Sequence, residues 1–315
     1  MALLFITSNR IGDAVLSTGL LTKLMETYPD DGVFVAAGAP SLPLFEAVPQ
    51  LLGSHAIVKK PRSGHWFDLW KTVAGRRWRA VLDVRRSALP WTVRAQHRYT
   101  VPKARDEEHR VESLSRALGS TPLAPTLWIG DSHRKTAHGV IDPSGAYIVV
   151  APGANWIGKT WPAERFAEIV LRLIGPGGLA EGMNALVVGA ESEREMTMPL
   201  FDRLPADRIV DGIGIGLMPS AAAIEGARLF VGNDSGLMHL AAATGTPTAG
   251  LFGPSDDRHY APWGDNGLVI RTPESLADIV GRPGYDHRNP GCLMESLTVD
   301  TVEQALRRRW PSLAR

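Results

Sequence analysis

The chain has 315 residues, of which 44% are hydrophobic and 21% charged, with a formal net charge of +1 and one cysteine, Cys292. That length exceeds the usual single core and predicts two domains of roughly 150 residues, with the composition of an ordinary globular protein. A lone cysteine excludes an intrachain disulfide and any multi-cysteine metal site. No apolar run approaches the ~18 residues of a membrane span, and Leu3–Ile6 is too short for a signal-peptide core, so the expected compartment is the cytoplasm.

In chain order, Leu3–Thr7 reads as a strand and Ser8–Asp13 as a polar turn. A long amphipathic helix follows, with Leu16, Leu20, Leu21, Leu24, Met25 and Tyr28 at helical spacing until Pro29 stops it. Strand-like runs come next at Val33–Ala37, Ala56–Val58 and Val81–Val84, then a helix at His109–Leu118. From Lys59 to Arg110 the chain carries fourteen Lys/Arg against five acids, and Trp66, Trp70, Trp78 and Trp91 fall in the same stretch. Such a zone suits an anionic partner, a stacked sugar or base, or a lipid headgroup layer; it also fits a solvated basic surface with tryptophans in the core.

The proline-punctuated passage Ser120–Pro143 is the candidate linker, which sets domains at 1–140 and 141–315. The second half restarts the alternation: strand Tyr147–Ala151, helix Glu164–Leu173, strand Ala185–Val188, helix Glu191–Leu204, strand Arg208–Val210 and helix Ala221–Ala227. Strand Leu229–Val231, turn Gly232–Gly236, helix Leu237–Ala243 and strand Thr248–Phe252 follow. A terminal helix at Val299–Arg309 is placed to pack back on the first half. Alternating strands and helices predict an α/β protein of two facing, doubly wound, Rossmann-like halves, with a ligand cleft between the carboxyl edges of their sheets.

Three polar turns share one context, each after a strand and before a helix: Thr7–Asp13, Ala151–Pro162 and Gly232–Gly236. A glycine-bracketed turn opening a helix gathers free backbone N–H groups and the positive end of the helix dipole, which suits an anion. Asp234 and Ser235 equally suit plain helix capping. Asp13 either favours the dipole of its helix or serves as a general base, and Lys159 either neutralises a phosphate or is merely solvated. Gly212-Ile213-Gly214-Ile215-Gly216 lacks the dinucleotide spacing, and no Asp-x-Asp metal pair occurs.

Taken together, Arg10-Ile11-Gly12-Asp13, Pro152-Gly153-Ala154 with Lys159-Thr160-Trp161-Pro162-Ala163-Glu164-Arg165-Phe166, and Gly232-Asn233-Asp234-Ser235-Gly236-Leu237-Met238-His239-Leu240-Ala241 resemble glycosyltransferase family 9. These are the heptosyltransferases of lipopolysaccharide core assembly and their relatives. His109-Arg110-Val111-Glu112 and Leu293-Met294-Glu295 extend the likeness from about Leu3 to Leu306. The resemblance implies a GT-B fold and inverting, metal-independent transfer from a nucleotide-diphosphate sugar, expected to be ADP-heptose, to a lipopolysaccharide-core or related glycolipid. Asp13 would be the base. Asn155, Lys159, Thr160, Glu191 (on the ribose), Asp234, Ser235, Gly236 and His239 would hold the donor, with Gly212–Met218 lining the base pocket. Asn9, Arg10, Arg62 and Arg85 are the candidate acceptor contacts.

The resemblance calls for no metal and no cofactor, because the nucleotide sugar is a substrate. Peripheral contact with the inner leaflet of the inner membrane is expected, and nucleic acid is not. Two departures stand out: many relatives carry proline where Gly19 stands, and a cysteine-rich stretch before the terminal helix is reduced here to Cys292. Two alternatives belong to other classes. A sugar-nucleotide epimerase or hydrolase of the same fold would change the donor without an acceptor. A non-catalytic module would hold an anionic polymer with strong salt dependence.

Overall fold

The computed structural model describes residues 1–281, 285–286, 288 and 291–313. The chain divides into two compact units, Met1–Gly130 and Asp131–Arg315. The passage expected as a linker is therefore split, and its second part forms a helix of the second unit.

The first unit is a five-stranded parallel sheet of β1 (Ala2–Ile6), β2 (Gly32–Ala37), β3 (Leu51–Ala56), β4 (Arg77–Asp83) and β5 (Arg94–Thr100), in the order β3-β2-β1-β4-β5. Every residue of β1 is buried, as a strand covered on both faces requires. The third strand ends at Ala56, where the sequence reading began it, and β5 was not legible. Its sequence, Arg-Ala-Gln-His-Arg-Tyr-Thr, is that of a polar edge strand paired with β4 alone. The helices are α1 (Ile11–Leu16), α2 (Thr18–Thr27), α3 (Gly64–Val73) and α4 (Arg110–Ser115). The His-Arg-Val-Glu motif is a helix start. Val111 N–H donates to His109 Nδ1 at 3.1 Å, and His109 N–H donates to the Glu112 carboxylate at 3.0 Å, a reciprocal cap.

The helix expected to run unbroken to Tyr28 is interrupted at Ser17. Ser17 Oγ donates to the Ala14 carbonyl at 2.8 Å and lies 2.7 Å from Thr7 Oγ1, while Thr18 Oγ1 donates to the Val15 carbonyl at 2.7 Å. Hydroxyls that return to the backbone in this way compete with the helical ladder. The second helix then starts beneath residues 123–126: Thr126 N–H donates to Thr18 Oγ1 at 2.8 Å, and a Cβ on Gly19 would lie 2.5 Å from the carbonyl oxygens of Leu123 and Ala124. Gly19→Ala is expected to destabilise the first unit by ~1–3 kcal/mol through overpacking against backbone that cannot swing aside. An unchanged melting temperature would show that the 123–126 segment yields freely.

The second unit opens with α5 (Asp131–His138) and holds β6 (Tyr147–Ala151), α6 (Ala163–Ile174), β7 (Asn184–Gly189), α7 (Arg194–Arg203), β8 (Ile209–Ile213), α8 (Leu217–Glu225), β9 (Phe230–Asn233), α9 (Gly236–Ala243), β10 (Thr248–Phe252), α10 (Asp257–Tyr260), β11 (Gly267–Arg271), α11 (Leu276–Val280) and α12 (Val299–Arg309). All six strands are parallel, in the order β11-β10-β9-β6-β7-β8. The terminal helix packs on α6 and β11 of its own unit. Trp161 and Phe166 meet edge-on at 5.0 Å in the core, and Trp161 Nε1 donates to the Leu297 carbonyl at 2.8 Å, which ties the C-terminal segment to the start of α6.

Both sheets follow one plan. Strand order reverses between β1 and β4 in the first unit and between β6 and β9 in the second. At such a reversal the loops at the strand carboxyl ends part to opposite sides, leaving a crevice in which open α/β sheets bind ligands.

Candidate active site

In the second unit the loops at the reversal are residues 152–162, after β6, and Asp234–Ser235, after β9. Asn233 ends β9 fully buried and stitches the two together. Its Nδ2 donates to the Pro152 carbonyl at 2.6 Å, and its Oδ1 accepts from Trp161 N–H at 3.1 Å. Both ends of the 152–161 loop are thereby fixed to one side chain. Between them Lys159, at the end of a short helical turn, forms an ion pair with Asp234. Asp234 is 6% exposed and Lys159 24% exposed, so the ammonium sits at the rim with its counterion beneath it.

Ser235 is the N-cap of α9, with Gly236 its first residue, yet the Ser235 side chain makes no capping hydrogen bond. Its hydroxyl oxygen is buried without a partner among the described residues. A buried, unsatisfied hydroxyl at a helix start costs ~1–3 kcal/mol, which a ligand oxygen seated there would offset. Four groups thus meet at one edge: a cation, a helix N-terminus, a free hydroxyl and a buried carboxylate that holds the cation.

The remaining predicted donor residues are less uniform. His239 is buried one turn into α9, its ring 6.4 Å from that of Tyr260. Asn155 is exposed on the loop. Thr160 is buried, and its hydroxyl is turned to the Trp156 carbonyl at 3.4 Å. The Thr160 carbonyl accepts from Cys292 Sγ at 3.3 Å; burial pushes the thiol pKa up, so Cys292 braces the lysine turn as a neutral group. Glu191 is exposed after β7 and gripped by Arg194 (2.6 and 3.0 Å), whose guanidinium holds the carboxyl below the usual range. Arg194 also binds Asp211 at 2.6 Å. A Cβ on Gly214, at φ +82°, would lie 2.6 Å from Glu191 Oε2, so Glu191 borders the 212–218 loop.

Sequence reasoning missed two residues here. Asn233 has already been described; its signal was an amide at the end of an apolar run. Glu193 fills the space where Gly153 would carry a Cβ, 2.2 Å from its Oε1, and accepts from Ala190 N–H at 2.8 Å. A side chain at residue 153 would displace the Glu193 carboxylate from this position.

In the first unit the candidate residues follow β1 and β4. Asp13 lies in the first turn of α1, partly exposed, and no side-chain hydrogen bond or ion pair holds its carboxylate among the described residues. Asn9 and Arg85 are brought together: Arg85 Nη1 donates to Asn9 Oδ1 at 3.0 Å, and the guanidinium lies 4.9 Å from the Trp66 ring centre. Burial lowers the pKa of Arg85, although not enough to discharge it. Asp83, wholly buried, spends its oxygens on Arg85 N–H, Ser87 N–H and Ser87 Oγ, shaping the turn that presents Arg85. Arg10 is exposed beside Asn9. Arg62 is exposed after β3, at φ +52°, and among the described residues no hydrogen bond joins its side chain to the other three.

Residues 85–280 match the model of glycosyltransferase family 9 (heptosyltransferase). The lipopolysaccharide heptosyltransferase 1 of Pseudomonas aeruginosa is 32% identical over 163 residues, 52% of this chain and 41% of that protein, so the match spans less than half of that relative. The crystal structure of a family 9 glycosyl transferase from Veillonella parvula superposes with a TM-score of 0.80 at 21% identity, covering 98% of this chain and 96% of that one. The Escherichia coli ADP-heptose LPS heptosyltransferase II superposes at 0.73 with 22% identity, covering 98% of each. Among the described residues no helix is long and apolar enough to cross a membrane. With two Rossmann-like units of GT-B type and a family match over most of its length, the chain belongs to glycosyltransferase family 9, the heptosyltransferases, and is a glycosyltransferase.

Proposed function

We propose that this enzyme moves a heptose from a nucleotide-diphosphate sugar, ADP-heptose in the simplest case, to a hydroxyl of a lipopolysaccharide-core or related glycolipid, with inversion and without a bound metal or cofactor, at the cytoplasmic face of the inner membrane. The carrying observation is the edge of the second sheet, where Lys159, the α9 N-terminus and the unpartnered Ser235 hydroxyl meet. A departing diphosphate gains negative charge as the sugar–oxygen bond breaks, and preorganised donors of this kind stabilise that charge more in the transition state than in the bound donor.

In this scheme Asp13 accepts the proton of the attacking hydroxyl as its oxygen bonds to the anomeric carbon. The bond from that carbon to the diphosphate oxygen breaks, and its electron pair leaves with the nucleoside diphosphate. A single displacement inverts the centre. Asp234 keeps the Lys159 ammonium in place, while Glu191 and the 212–218 loop serve the nucleoside. Arg85, with Asn9, Arg10 and Arg62, serves the anionic acceptor.

The test is thermal shift with ADP. By mass action, ligand at a hundredfold excess over Kd adds ~2.7 kcal/mol to the stability of the unit that binds it. The wild type is expected to show this shift, and Lys159→Ala to lose most of it, because the substitution removes the cation and leaves Asp234 as a bare charge beside the phosphates. A full shift in Lys159→Ala would remove the lysine from the donor site, and turnover abolished by a chelator would overturn the metal-free scheme.

A further inference from the structure

Between Lys59 and Arg98 the chain carries eleven Lys/Arg and two acidic residues. Asp83 is wholly buried, and Asp68 neutralises only Lys60, at 2.7 Å, which leaves the stretch strongly basic. The tryptophans of this stretch divide. Trp78 enters the core and Trp66 lies against Arg85, whereas Trp70 and Trp91 are on the surface at 38% and 71% exposure, beside Phe67 at 55%.

The exposed rings form one patch. Phe67 stacks on Trp70 within α3 (5.8 Å, 11°), and Lys71 lies 4.4 Å from the Phe67 ring centre. Trp70 Nε1 donates to the Thr92 carbonyl at 3.3 Å, which joins the helix to the turn bearing Trp91. Arg98 spends its guanidinium on the carbonyls of Pro90, Ala95 and Val93 and covers a face of Trp91 at 5.7 Å, locking that turn. Arg94 is exposed at the start of β5.

Large aromatic rings clustered at a surface, ringed by cations and held rigid, mark a binding face rather than a solvated one. Trp70 stacks on Phe67 with Lys71 beside it, and Arg98 lies over one face of Trp91. Amphipathic rings set among lysine and arginine heads are the arrangement that enters a headgroup layer.

We propose that the face built by α3 and residues 89–98 docks on an anionic lipid bilayer, with Phe67, Trp70 and Trp91 in the headgroup layer and Lys71 and Arg94 on lipid phosphates. This deepens the reading of a glycolipid acceptor, and a vesicle assay without substrates separates its failure from failure of that reading.

The experiment is flotation with vesicles of phosphatidylcholine alone or mixed equally with phosphatidylglycerol, at low and high salt. The wild type is expected to float with the anionic vesicles at low salt and to lose that association with neutral vesicles or at high salt. Phe67→Ser with Trp91→Ser, and separately Lys71→Gln with Arg94→Gln, should each weaken binding about tenfold or more. Both variants should retain the wild-type melting temperature and ADP shift. Absence of binding to anionic vesicles, equal binding by the folded variants, or preference for a single-stranded oligonucleotide over the vesicles would overturn the proposal.

Discussion

Asp13→Asn is expected to lower kcat by ~10²–10⁴, the usual contribution of a general base, while leaving ADP affinity within severalfold. The separation follows from where the groups sit. Asp13 belongs to the first unit, and every group assigned to the diphosphate belongs to the second. The amide keeps the size and shape of the carboxyl but cannot take the proton of the attacking hydroxyl. Its other consequence, loss of a negative charge in the first turn of α1, costs only ~0.3–1 kcal/mol of helix stability, so the melting temperature should barely move. A purely structural role for Asp13 predicts the reverse pattern, with a lower melting temperature and near-normal turnover of folded enzyme. Single-turnover rates with ADP-heptose and a glycolipid acceptor, set beside ADP titrations of the same preparations, distinguish the two.

The sequence was most readable where the chain is buried on both faces. Strands β6 and β10 and helix α12 fall where the apolar runs place them, because a covered parallel strand is a short continuous apolar run and a helix that packs on one side repeats at 3.6 residues. Legibility failed where tertiary bonds decide. The pattern from Leu16 to Tyr28 is helical throughout, but hydroxyl bonds at Ser17 and Thr18 break it. Strand β5 has no apolar alternation because it lies at an edge. Glycine-rich turns told where a ligand edge lies, whereas the residues that hold that edge in shape, Asn233 and Glu193, emerged only with the contacts they make across the sheet.

Asn233 therefore carries the second large effect. Replacing it with alanine orphans the Trp161 N–H and the Pro152 carbonyl, both on buried residues, at ~1–3 kcal/mol for each group left unsatisfied. More than stability is at stake, since the same two bonds fix the loop that carries Lys159. Asn233→Ala is accordingly expected to raise the Kd for ADP by about tenfold or more, from loss of the preorganised donors. Leu173→Ala serves as the control. Leu173 is fully buried on α6 in the same unit, and its truncation costs a comparable ~2–5 kcal/mol without touching the loop. At a temperature where both variants are folded, Leu173→Ala should bind ADP like the wild type. Asn233→Asp should fall between, because its oxygen still accepts from Trp161 N–H while a second oxygen faces the Pro152 carbonyl. Equal loss of affinity in Leu173→Ala and Asn233→Ala would reduce Asn233 to a stability residue; loss confined to Asn233 would make it the residue that positions the donor lysine.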